Sequence, residues 1–84
     1  MADRQLILDT VFQRLREVIP ALRDGEPDAE KDLREYPEFD SLGVLEILVW
    51  LESEFSLVIP DEELVVDRFS TPAKIVDYIV ASQS

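Results

Sequence analysis

Phe39-Asp40-Ser41-Leu42-Gly43-Val44-Leu45-Glu46-Ile47-Leu48-Val49-Trp50-Leu51-Glu52-Ser53-Glu54-Phe55 decides the fold of this chain: an acidic turn and a serine open a helix that is apolar nearly all the way round. Wound at the α-helical step, Val44, Ile47, Leu48, Leu51 and Phe55 fall within about 100° of one another and make a core face. Leu42, Leu45 and Val49 lie roughly opposite, on the side that carries Glu46 and Ser53, with Glu52 and Trp50 toward the flanks. That second apolar stripe cannot reach the same core. Edged with carboxylates, it reads as a surface on which a partner docks, the alternative being cover from another segment of the same chain.

Asp40 is a good N-cap, which makes Ser41 the first helical residue, its hydroxyl beside backbone N–H groups with no intrahelical acceptor. An anion attached to that oxygen would sit at the positive end of the helix dipole. The plainer reading is that Ser41 only belongs to the cap. Gly43 lowers helix propensity by about 1 kcal/mol relative to alanine, either because the helix end tolerates it or because something must approach closely.

Outward from this stretch, residues 3 to 19 read as a first helix. Leu8, Val11, Phe12, Leu15, Val18 and Leu22 recur at spacings of three and four, with Arg4, Gln13, Arg14 and Arg16 on the wet side. Pro20 ends or bends it. Arginine concentrates here, so the positive end of the molecule is expected on this helix. Residues 23 to 38 form a long connection, expected to be the most mobile, with Leu33 and Tyr36 as anchors. Asp24, Glu26, Asp28, Glu30, Asp32 and Glu35 in it occupy the ligand positions of a calcium-binding EF-hand loop. Ala29 stands where the turn needs glycine, and Pro27 and Lys31 also disagree, so a solvated acidic loop is expected and no metal site.

Beyond the central helix, residues 56 to 60 read as an extended connection with Leu57 and Ile59 inward, followed by a short helix over 61–66 whose acids favour its N-terminus. Thr71 as N-cap and Pro72 at the first helical position open a last helix. Ile75, Val76, Ile79 and Val80 give it an apolar face; it ends near Ala81, with a fraying tail over 82–84 and the Tyr78 hydroxyl reaching solvent. Three longer helices and one short one, with no sustained alternation, predict an all-α small four-helix bundle.

The chain has 84 residues, enough for a single domain over 1–84. It contains no cysteine and no histidine, which excludes disulfides, cysteine nucleophiles, the usual zinc sites and serine–histidine hydrolysis by these residues. No signal-peptide core or bilayer-length apolar run is present, so the expected place is the cytoplasm. A net charge of −11 argues against nucleic acid and for partners with basic docking patches.

Asp40-Ser41-Leu42 is followed by Glu46, Leu51-Glu52, Phe55, Ile59-Pro60-Asp61-Glu62-Glu63, Thr71-Pro72 and Ile75-Val76-Asp77-Tyr78-Ile79. In this order and spacing the sequence resembles the acyl carrier proteins, over about Phe39 to Val80. The resemblance implies a carrier without catalysis of its own, a covalent 4′-phosphopantetheine from coenzyme A on Ser41 between Asp40 and Leu42, and a cavity lined by the second helix where an acyl chain can shelter. It implies a phosphopantetheinyl transferase and acyl-loading and acyl-processing enzymes as partners, meeting Leu42, Leu45, Glu46, Val49 and Glu52 of a monomer. Phe39, Gly43-Val44 and Trp50 depart from the usual fatty-acid carrier. They turn the expectation toward a bacterial specialised pathway, of polyketide, antibiotic or related thioester assembly. An aminoacyl or peptidyl carrier, a housekeeping fatty-acid carrier and an unmodified acidic adaptor stay open as alternatives. Trp50 either packs under the long connection or serves as an aromatic anchor for docking.

Overall fold

A computed structural model describes residues 3–26 and 28–83. Three α-helices carry the fold: α1, Arg4–Val18; α2, Ser41–Glu54; and α3, Pro72–Gln83. Four short 3-10 turns, Pro20–Asp24, Leu33–Glu35, Asp61–Glu63 and Val66–Phe69, lie in the connections. No strand occurs among the described residues. This is the expected all-α architecture.

Asp3 caps α1, its carboxylate accepting from the N–H groups of Gln5 and Leu6. Pro20 ends α1 and opens the next turn, where its missing N–H costs no hydrogen bond. The buried face of α1 is Ile7, Val11, Phe12 and Leu15, continued by Ile19 after the helix. Leu8, Val18 and Leu22, expected in the core, pack half-buried at its margin. The run Leu6-Ile7-Leu8 offers three apolar residues in succession, so periodicity alone leaves the phase of the first turn open. α1 and α3 run antiparallel, with Phe12 near Pro72 and Arg4 paired to Asp77. Val11, Leu15, Ile19, Leu33, Leu51, Ile75, Val76 and Ile79 are wholly buried between the three helices. Burying each such side chain contributes about 1.5–3 kcal/mol.

The long connection is tied down at two places. The N–H of Leu33 donates to the Ser70 carbonyl at 2.7 Å, and Ala29 O accepts from the Ala73 N–H at 2.8 Å, so its backbone is bonded to the start of α3. Phe39 is buried in the core and anchors the far end of the connection against α2.

α2 stops in a Schellman turn. The N–H of Leu57 donates to the Glu52 carbonyl at 3.2 Å, and Ser56 takes the left-handed conformation, φ 53°, that glycine usually supplies. Phe55 is the half-buried cap of this end, outside the fully buried face expected for it.

The single short helix expected over 61–66 is two separate 3-10 turns. Leu64 lies between them at φ −78°, ψ 68°, and the Val65 N–H donates to the Glu63 carbonyl at 2.9 Å. That is an inverse γ-turn, which breaks the helical ladder before the extended Val65. Thr71 caps α3, its hydroxyl accepting from the Lys74 N–H at 3.2 Å. α3 runs on to Gln83, two residues past the expected end; Ser84, the last residue of the expected tail, lies outside the described residues.

Candidate functional site

Asp40, in extended conformation, caps α2: its carboxylate accepts from the Gly43 N–H at 2.8 Å and its carbonyl from the Val44 N–H at 2.9 Å. The neighbouring hydroxyl takes no part in this cap. Ser41 is the first residue of α2 and is exposed, beside N–H groups that lack intrahelical acceptors. The site has an accessible oxygen and an electrostatic setting that favours an anion.

Gly43 is what brings the preceding chain onto this helix start. A Cβ on it would lie 2.0 Å from the Glu38 carbonyl oxygen, far inside contact distance. Gly43 has no positive φ, so its use here is close approach of backbone and not backbone freedom. Neither helix-end tolerance nor room for an arm is needed to explain it. With Phe39 buried just upstream, the Glu38–Asp40 segment is clasped to the first turn of α2.

On α2 the expected division of faces holds for Val44, Ile47, Leu48 and Leu51, all buried, and for Leu42, Leu45 and Val49, which are 65%, 46% and 56% exposed. Glu46 is exposed among them. Glu52 differs: it is half-buried, and its carboxylate accepts from the Ile59 N–H at 3.0 Å, which pins the connection after α2. Exposed Leu64 continues the apolar surface beyond α2, across the cavity from Leu45, and the sequence reading missed it because it placed it on a short helix. Trp50 lies against α1, not under the long connection. It borders a hollow of about 240 Å³ with Thr10, Gln13, Arg14, Glu17 and Glu54, and the Arg14 guanidinium stands 5.1 Å from its ring centroid. Phe55 meets it edge-on at 5.9 Å.

A cavity of about 140 Å³ begins at Ser41 and is walled by Val44, Leu45 and Leu48 of α2 and by Leu64 and Val66 opposite. Its walls, apart from the serine, are aliphatic. An exposed hydroxyl at a helix N-terminus, opening onto an apolar cavity, fits an arm with an anionic phosphate at its root and an apolar cargo at its end. A second hollow, about 200 Å³, lies under the long connection beside Phe12, Leu22, Leu33, Tyr36 and Pro72, and none of the residues around it belongs to α2.

Three acids of the long connection have partners within the chain. Asp28 accepts from the Glu30 N–H, Glu35 pairs with Lys31 at 2.7 Å, and Arg34 bridges Asp32 and Asp67 at 2.9 and 2.8 Å. The Arg34 hydrogen bonds hold the Asp32 carboxyl down at about 2, and Glu35 raises the Lys31 ammonium. Among the described residues no three acidic groups gather as a metal cage. On α1, Arg4 and Arg14 are each paired with a carboxylate, which weakens the positive end expected there. The Tyr78 hydroxyl donates to the Glu63 carboxylate. Burial first, and then Glu63, push its phenol up to about 12.

Residues 9–79 match the family model described as "Phosphopantetheine attachment site". The chain is 32% identical to an acyl carrier protein of Rubrobacter xylanophilus over 90% of its own length and 95% of that protein. It is 32% identical to one of Wolinella succinogenes over 82% of its length and 92% of that protein. It is 36% identical to the mitochondrial acyl carrier protein of Saccharomyces cerevisiae over 88% of its length, spanning 63% of that longer chain. Its fold is like the crystal structure of a Toxoplasma-specific mitochondrial acyl carrier protein, with a TM-score of 0.77 at 22% identity over 98% of this chain and 92% of that one. A capped helix that leaves its serine exposed beside an aliphatic cavity, and relatives that align along nearly the whole length, place this chain in the acyl carrier protein family, whose members carry a phosphopantetheine arm and catalyse nothing themselves.

Proposed function

We propose that Ser41 is the attachment point of the 4′-phosphopantetheine arm. The face bearing Leu42, Leu45, Glu46 and Val49, with Glu52 at its border, is the one read by the enzymes that load and process the cargo. The observation that carries the first part is that Asp40 alone caps α2 and leaves the Ser41 hydroxyl exposed. When attached, the arm supplies a thiol that carries an acyl group as a thioester. Asp40 fixes the start of the helix, and the amides of Ser41 and Leu42 favour the phosphodiester charge. With no histidine in the chain, the proton of the Ser41 hydroxyl is removed by a base of the transferase.

Treated with coenzyme A and a broad-specificity phosphopantetheinyl transferase, the wild-type protein gains the mass of one arm and Ser41→Ala gains none. An unchanged wild-type mass would leave the acidic adaptor as the better reading.

For the pathway, we favour a monomeric cytoplasmic carrier of short acyl units in polyketide-type or related thioester assembly, a reading supported by the small volume of the cavity beside Ser41. One observation favours the housekeeping fatty-acid reading instead: Phe39 and Gly43, which set the chain apart from usual fatty-acid carriers, both have structural grounds in the clasp on α2. The cargo mass on protein isolated from its own host separates the two.

A further inference from the structure

The outer wall of the cavity beside Ser41 is gripped on both flanks by one side chain of α3, Tyr78. Leu64 and Val66 form that wall, facing Val44, Leu45 and Leu48. Between the two 3-10 turns its backbone is not helical, and its own bonds are local: Leu64 N–H to Asp61 O at 3.1 Å, Val65 N–H to Glu63 O at 2.9 Å, Arg68 N–H to Val65 O at 3.1 Å. Such bonds shape the segment without fixing its distance from α2. Tyr78 of α3 touches it on both sides of the wall. Its hydroxyl donates to the carboxylate of Glu63, the residue before Leu64. Its ring meets that of Phe69 at 5.2 Å and 63°, and Phe69 is buried at the end of the following turn. Val66 itself packs at the margin of the core, and the other ties meet the chain past the wall: Arg34 and Lys74 at Asp67, and the Leu33 N–H at the Ser70 carbonyl.

We infer that Tyr78, by tethering Glu63 and Phe69, holds Leu64 and Val66 against α2 and thereby limits the cargo that this protein shelters to short apolar chains. The limit is about six carbons, since an apolar cavity of about 150 Å³ takes a benzene molecule and this one is about 140 Å³. The inference rests on the assignment of Ser41 as the arm's attachment point. Tyr78 is a positioning residue here: it lines no part of the cavity and acts through its neighbours.

Tyr78→Phe keeps the ring on Phe69 and removes the hydroxyl; Glu63→Ala removes the acceptor; Glu63→Gln keeps an oxygen that can accept. Two measurements are made on each. In the unmodified protein, amide exchange at Leu64, Val65 and Val66 is expected to quicken about tenfold in Tyr78→Phe and Glu63→Ala, the factor carried by one hydrogen bond to a charged acceptor. α1 stays at wild-type rates, and Glu63→Gln, which keeps an acceptor without its charge, quickens less than the other two variants. In protein loaded with thioesters of four, six, eight and ten carbons, hydroxylamine cleaves the wild type slowly up to six carbons and about tenfold faster beyond. Tyr78→Phe and Glu63→Ala extend the slow range to eight and ten carbons, and Glu63→Gln does not. The inference is overturned if exchange at 64–66 does not change, or if the variants share the wild-type chain-length profile. Should Ser41 accept no arm, the carrier reading fails and the cargo limit with it, and the exchange data, which need no arm, report separately on the tether.

Discussion

Gly43→Ala should destabilise the protein although it replaces a glycine within a helix. On propensity alone the change favours folding by about 1 kcal/mol. Against this, the new methyl carbon would lie 2.0 Å from the Glu38 carbonyl oxygen and 3.2 Å from its carbon, where ordinary contact begins at 3.4 Å. The obstacle is backbone, which cannot rotate aside, and it is anchored through buried Phe39. Forcing such an overlap apart costs about 2–3 kcal/mol, which leaves a net loss of about 1–2 kcal/mol. For a chain of this size that lowers Tm by about 5–15 °C. Urea unfolding followed by helical circular dichroism gives the free energy directly. Gly25→Ala is the internal control: nothing lies within 4 Å of a Cβ there and its φ is −124°, so the change should be neutral or stabilise by about 0.5 kcal/mol. Gly43→Ala also moves the Asp40–Ser41 corner, so arm transfer to Ser41 should slow in folded protein. A Gly43→Ala variant as stable as the wild type, with Gly25→Ala unchanged, would refute the clasp.

Ser56→Gly should raise stability by about 1 kcal/mol, seen as a higher urea midpoint at constant slope, because Ser56 now holds a left-handed φ of 53° in the Schellman turn. Alkaline titration should reveal Tyr78. Its phenol is pushed up to about 12 in the folded protein, against 10.0 ordinarily, so its contribution is complete below pH 10. It is lost as pH rises from about 10 to 12, where the unfolded chain gives up the proton first. After solvent screening this amounts to about 1 kcal/mol and vanishes in Tyr78→Phe, as stability measured at a series of pH values will show. Val49→Asp and Glu46→Lys should leave helical signal and Tm nearly unchanged, since both residues are exposed and neither lines the cavity beside Ser41. Each should reduce partner turnover about tenfold or more through KM, and equal kinetics in both would remove the docking assignment.

The order of helices, the Asp40 cap and the two faces of α2 were readable because each depends on local spacing or on a residue whose side chain acts within one turn. Leu42, Leu45 and Val49 fell on the exposed side for the reason that the periodicity gave. What escaped the sequence was set by distant partners. The fit of Gly43 under the Glu38 carbonyl, the bond from Ile59 to Glu52 and the grip of Tyr78 on Glu63 join residues whose proximity no spacing rule encodes. The segment from Asp61 to Val66 reads as one short helix because its acids favour a helix start, whereas the γ-turn at Leu64 decides its shape. Leu64 and Val66 thus became visible as a cavity wall only in three dimensions.

Since the Asp40 carboxylate accepts from the Gly43 N–H, the oxygen next door takes no share of the helix cap. Whatever is hung on Ser41, or stripped from it, leaves the hydrogen bonds of the helix untouched. A protein built this way gains from the anion while it is charged and gives up no bond of its helix when it is stripped.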